Sequence, residues 1–129
     1  MIYLLDTNAV IAVIKGDAGL LALLKRHRPQ DFALSAIVAH ELHYGAEKSQ
    51  RRAENLARIE ALQFPVLEFD REDARHAGEI RATTLATLGT PIGPYDALIG
   101  GQARARNLTL MTRNVREFER IKDLSIETW

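Results

Sequence analysis

Apolar and polar positions come in alternating blocks along this chain, and the blocks predict strands and helices in turn. Ile2-Tyr3-Leu4-Leu5 is a short apolar run stopped by Asp6, the pattern of a buried central strand. A helix is expected over 9–15, capped by Thr7 or Asn8 and stopped by Gly16. Asp17 caps a second helix to about His27, with Leu20, Leu21, Leu23 and Leu24 on its apolar side, and Pro29 ends it. Phe32-Ala33-Leu34 predicts a second strand, and Ser35 caps a helix over 37–49. A charge-rich amphipathic helix follows over 51–62, and after Pro65 the run 66–69 predicts a third strand. Asp70 caps a long helix to Leu88, closed by Gly89. Pro94 fits the first turn of a helix reaching about Arg106. Its Gly100-Gly101 pair weakens it by roughly 1 kcal/mol each, which close approach to the sheet would offset. Residues 108–111 predict a fourth strand, Asn114 caps a short helix through Glu119, and 124–127 form a final edge strand. Strand and helix alternate throughout, so the expected fold is a three-layer α/β/α sandwich with a mostly parallel central sheet, one domain over 1–129.

Composition narrows the classes of function. A chain of 129 residues, 47% apolar, can bury a core without staples. No apolar run approaches the ~18 residues of a membrane span, and Asp6 interrupts the apolar start, so neither a span nor a signal peptide is expected. Without cysteine there is no disulfide framework and no thiolate metal site, and a reducing cytoplasm is the default location. Lys+Arg and Asp+Glu both total 17, which argues against a broad, charge-driven nucleic-acid surface. Small basic clusters survive that balance: Lys25-Arg26-His27-Arg28, Lys48 with Arg51-Arg52, Arg104 with Arg106, and Arg113 and Arg116 flanking Asn114.

The acidic residues are placed more tellingly. In a parallel α/β layer, ligands gather outside the carboxyl ends of the strands. Asp6 sits at such an end, although a plain helix cap would explain it too. Asp96 lies in a first helical turn, where the helix dipole alone favours a carboxylate. Glu41 borders the buried side of its helix, and Glu117 lies one turn past Asn114, where a capping role is equally open. Two unit charges ~4 Å apart repel by about 4 kcal/mol at an effective dielectric of ~20. Convergence of several carboxylates therefore demands raised pKa values or a hard cation, Mg²⁺ or Mn²⁺, with water activation as the chemistry. Thr112 and Asn114 can hold carboxylates or water from behind. His40 and His43 are three residues apart and do not make the four-residue zinc-protease spacing. No phosphate loop or nucleophile elbow occurs, and the scattered Tyr and Phe residues give no stacking platform.

These residues resemble the PIN-domain ribonucleases, and within them the VapC toxins of toxin–antitoxin pairs. The resemblance runs through Leu5-Asp6-Thr7-Asn8, the segment 41–49, the segment 89–96, Thr112-Arg113-Asn114 with Arg116-Glu117-Phe118, and Ile126-Glu127-Thr128-Trp129. It implies a Mg²⁺-dependent endoribonuclease (Mn²⁺ substituting) with Asp6, Glu41 and Asp96 as catalytic carboxylates, Asp6 and Asp96 holding the metal. Glu117 matches a fourth acidic position often held by Asp, and Asn8, Thr112 and Asn114 match supporting polar positions. It further implies an RNA substrate, some relatives cutting tRNA, and an antitoxin of the VapB type packed in a groove near the early helices, with Ile11, Val13, Leu20, Leu24, Leu56 and Ile59 as apolar surface. A homodimer, and complexes seated on operator DNA through the antitoxin, complete what the resemblance implies. Two rivals stand beside it: a Mg²⁺ phosphohydrolase of small phosphate esters, which would want an Asp at position 8 and a Lys near Thr112, and a non-enzymatic α/β binding module whose carboxylates are caps.

Overall fold

The structure, a computed structural model, describes the backbone of all 129 residues and every side chain but that of Leu88. Five strands make one sheet: β1 (Tyr3–Leu5), β2 (Phe32–Ser35), β3 (Val66–Leu67), β4 (Thr109–Met111) and β5 (Ile126–Glu127). Their order is β3-β2-β1-β4-β5, and every pairing is parallel. The helices are α1 (Thr7–Lys15), α2 (Ala18–Leu24), α3 (Ala36–Glu47), α4 (Arg52–Glu60), α5 (Arg71–Leu88), α6 (Pro94–Ala105) and α7 (Val115–Phe118). The three central strands are buried because their residues are apolar on both faces, as a parallel layer sandwiched by helices requires. Leu4, Leu5, Ala33, Leu110 and Met111 form the middle of the core.

Several expected boundaries move for identifiable reasons. The second helix stops at Leu24, because Arg26 and His27 turn back to the carbonyls of Leu23 and Leu24 instead of continuing the α pattern. The third strand pairs only at Val66 and Leu67, since it lies at the sheet edge. Leu20 is fully buried in the core, so it is not groove surface. The Gly100-Gly101 pair serves a close approach to α5 and to the segment just after α7 rather than to the sheet. A Cβ on Gly101 would lie 2.7 Å from the backbone nitrogen of Ala77 in α5, and one on Gly100 would lie 2.7 Å from Ile121.

A second feature ties α5 to α6. Asp73 is buried, caps the start of α5 by accepting from the Asp70 amide, and meets Arg106 at 3.0 Å and Gln102 at 3.0 Å. Burial alone would raise its pKa, but the hydrogen bonds from Arg106, Asp70 and Gln102 hold it below the usual carboxylate range. Arg104 pairs with Glu79 and donates to His76, so this basic pair is structural rather than free for a ligand. No single helix, among the described residues, is long and apolar enough to cross a membrane.

Candidate active site

The chain order reverses between β1 and β4: from the centre it proceeds outward to β2 and β3, then returns to start β4 and β5 on the other side. Crevices form at such a switch point, outside the carboxyl ends of the strands. Leu5 pairs with Met111 there, and the Asp6 amide donates to the Met111 carbonyl, so Asp6 and Thr112 emerge side by side. A cavity of about 130 Å³ opens at this point, lined by Asp6, Thr7, Asn8, Glu41, Asp96, Ile99 and Asn114.

Each wall follows from a local choice in the sequence. Asp6 has extended backbone and its carboxylate accepts from the Ala9 amide at 2.8 Å, so it is both the cap of α1 and a wall of the cavity. Glu41 projects from the middle of α3, where Thr7 donates to its Oε1 at 3.0 Å. Gly93 and Pro94 start α6 so that Asp96 falls in the first turn. Thr112 is fully buried and its hydroxyl accepts from the Asn114 amide at 2.9 Å. That contact shapes the turn before α7. The side chain of Asn114 makes no cap bond, contrary to the expected cap, and lines the cavity instead.

Electrostatics marks the cavity. Burial raises the pKa of Asp6, the Thr112 hydroxyl and Ala9 amide oppose that, and Glu41 adds a further upward push. Asp96 is pushed up to about 6, first by burial and then by the charges of Glu117, Asp6 and Glu41. Asp96 therefore feels the charges of three other acidic groups, and Asp6 feels that of Glu41. Glu117 stands outside the cavity lining and pairs with Arg120 at 2.8 Å. Its charge reaches Asp96 while its carboxylate is engaged elsewhere.

The donor set suits a hard dication. Carboxylates from Asp6, Glu41 and Asp96 and amides from Asn8 and Asn114 offer oxygen, with no thiolate and no imidazole in the lining. The carboxylates stand apart: among the described residues, no three His, Asp or Glu side chains are grouped closely enough to hold an ion by themselves.

A second, larger hollow of about 260 Å³ adjoins the first. Thr7 and Glu41 belong to both, and Ile11, Ile14, Leu42, Ala46 and Ile59 make most of its apolar wall. Of the residues expected as groove surface, Ile11 and Ile59 line it. Val13 and Leu24 pack partly buried against the core. Tyr44 and Tyr95, two of the scattered aromatics, are 61% and 47% exposed, and the Tyr95 ring lies beside His40.

The chain matches the model of the PIN domain over residues 3–124. It is 43% identical to the tRNA(fMet)-specific endonuclease VapC of Salmonella typhimurium, over 98% of this chain and 97% of that one. The DNA-bound VapBC structure from the same organism superposes with a TM-score of 0.91 at 42% identity, covering 100% of this chain and 98% of the other. The promoter-bound VapBC2 structure from Rickettsia felis superposes at 0.90 and 34% identity, covering 100% and 99%.

Proposed function

Because the chain belongs to the PIN-domain family, and within it to the VapC ribonucleases, we propose that it is the RNA-cutting toxin of a toxin–antitoxin pair, working through the acidic cavity with a divalent cation. The observation that carries this reading is the meeting of Asp6, Glu41 and Asp96, from three distant parts of the sequence, around one small cavity at the switch point. Neither rival explains that meeting. Caps need no shared cavity, and the phosphohydrolase pattern would want Asp where Asn8 stands and a Lys near Thr112, where the sequence has none.

Asp6 and Asp96 would hold Mg²⁺, with Glu41 completing the acidic face. When bound, the ion activates a water and neutralises charge on the phosphate under attack. The protein's own part is positioning. The Ala9 amide and the Thr112 hydroxyl fix the Asp6 carboxylate in the cavity wall. Thr7 steers Glu41 toward the same space. Glu117 acts at longer range by adding negative charge behind Asp96, while its pairing with Arg120 keeps it from closing the cavity. Asn8 and Asn114 offer neutral polar contacts at the rim.

The Salmonella relative acts on tRNA(fMet), and a tRNA is the substrate proposed here. The apolar hollow beside the cavity suits a segment of a VapB-type antitoxin, which would press on Thr7 and Glu41 as it seats. The DNA-bound VapBC relatives, one of them on its promoter, support a toxin–antitoxin complex carried on operator DNA, and the toxin is proposed to be a homodimer within it.

The test is cleavage of total tRNA in Mg²⁺ buffer. Asp6→Ala, Glu41→Ala and Asp96→Ala each abolish it with unchanged circular dichroism, and Glu117→Ala slows it less. Wild-type cleavage by Asp96→Ala overturns the assignment. Mn²⁺ also raises the melting temperature of the wild type by mass action, and Asp6→Ala loses most of that gain.

A further inference from the structure

Beside the acidic cavity runs a line of exposed rings that the metal chemistry does not use. Tyr95 is the residue before Asp96, and His40 is the residue before Glu41. Their rings meet across the junction of α6 and α3, with centroids 5.8 Å apart and planes tilted by 51°. Tyr44 lies one helical turn beyond His40 on the same face of α3, and the Lys48 ammonium sits 4.8 Å from its ring centre. His40 and Lys48 are exposed, like both tyrosines. The exposed members of this line are aromatic or charged. An apolar protein-docking stripe would carry Leu, Ile or Val, as the neighbouring hollow does.

We infer that Tyr95, His40 and Tyr44 form a base-stacking ridge that holds unpaired nucleotides next to the scissile phosphate, with Lys48 contacting the backbone at its far end. The ridge is carried by the same two helices, α6 and α3, that present Asp96 and Glu41 to the cavity, and a base resting on Tyr95 or His40 is inferred to place its phosphate at the cavity mouth. Four helical residues rise about 6 Å, roughly twice the 3.4 Å step of a stacked strand, so bases on successive rings must be unstacked from each other. Paired RNA cannot supply such bases, and the ridge therefore selects loops and single strands. Zero net charge makes this local contact important, because no large basic surface holds the RNA in place. The histidine and tyrosines are positioning residues and leave the reacting atoms to the cavity.

This inference rests on the ribonuclease reading, and two measurements separate the fates of the two. Binding is measured by fluorescence anisotropy of a labelled single-stranded oligoribonucleotide on the inactive Asp96→Asn protein. Cleavage of the same oligonucleotide is measured on active protein. Tyr44→Ala and Tyr95→Ala each weaken binding about tenfold and raise KM by a similar factor, while kcat changes less than twofold. Tyr44→Phe and Tyr95→Phe keep wild-type values, which also guards against misfolding of the alanine variants. A duplex of the same sequence is bound equally weakly by all variants. Active protein that cleaves with unchanged KM and affinity in the alanine variants sinks the ridge and spares the ribonuclease. Wild-type protein that cleaves no RNA, yet loses oligonucleotide binding on Tyr44→Ala, sinks the ribonuclease and spares the ridge. Phenylalanine variants as weak as alanine overturn stacking. Sedimentation showing that Tyr44→Ala or Tyr95→Ala turns a dimer into a monomer reassigns the ridge to self-association and overturns the inference.

Discussion

At the residue scale, two aspartates respond to acid in opposite ways. In metal-free buffer, folded Asp96 binds its proton more tightly than the unfolded chain, whose carboxylates titrate near 3.9. The folded state then holds more protons between about pH 4 and 6, so its stability falls as pH rises through that window. Asp73 is the reverse case. Its pKa is held down, so its contribution is present above the unfolded value and is lost as pH drops through the lowered one. The two windows do not overlap, and Asp96→Asn isolates the first. In EDTA at pH 7 this variant is more stable than wild type by on the order of 1 kcal/mol, two pKa units discounted for solvent contact. At pH 4 the two melt alike. Thermal melts at both values check this, and a variant less stable at pH 7 contradicts it. Sequence reading reached Asp6, Glu41 and Asp96 because each stands at a strand end or on a helix border. It could not see that Thr7 holds Glu41 or that Arg120 draws Glu117 aside, since those bonds join residues whose approach depends on packing.

At the scale of elements, the long contact between α5 and α6 depends on a missing side chain. Gly101 lies against the backbone of Ala77, and a methyl group there meets atoms that cannot swing aside. Gly101→Ala therefore costs about 1–3 kcal/mol through overpacking, outweighing the roughly 1 kcal/mol of helix propensity it gains. Gly78, within α5, is the control: a Cβ there meets nothing within 4 Å, so Gly78→Ala stabilises. Urea unfolding of both variants tests the pair, and equal stabilisation would show that α5 and α6 are not packed this closely. Helix starts were legible at Asp17, Ser35 and Asp70, whereas α1 starts at Thr7 and is capped by Asp6 instead of the expected Thr7 or Asn8. The Gly100-Gly101 pair announced a close approach, but which neighbour it admits depends on chain topology and not on the local pattern.

At the scale of the whole molecule, Arg106 joins the end of α6, the start of α5 and the Glu68 carbonyl just past β3. Its loss leaves the fully buried Asp73 carboxylate with only the Asp70 amide and Gln102 as partners. Arg106→Ala is expected to cost about 3 kcal/mol, and Arg106→Lys recovers little, because an ammonium cannot reproduce the forked contact. Chemical denaturation checks both, and RNA cleavage per folded molecule stays unchanged. The parallel sheet was readable from the alternation of blocks, whereas the order of its strands was not, since any apolar run of three or four residues fits several places in a layer. That order decides where the crevice opens. It also gives Asp6 a double duty, and with it a way to be silenced gently. Asparagine closes a helix as well as aspartate does, so replacing one carboxylate oxygen by an amide nitrogen there yields a muted twin: same shape, same partner-facing hollow, no cutting. A cell carrying such a copy would hold a decoy that soaks up the antidote while doing no harm of its own.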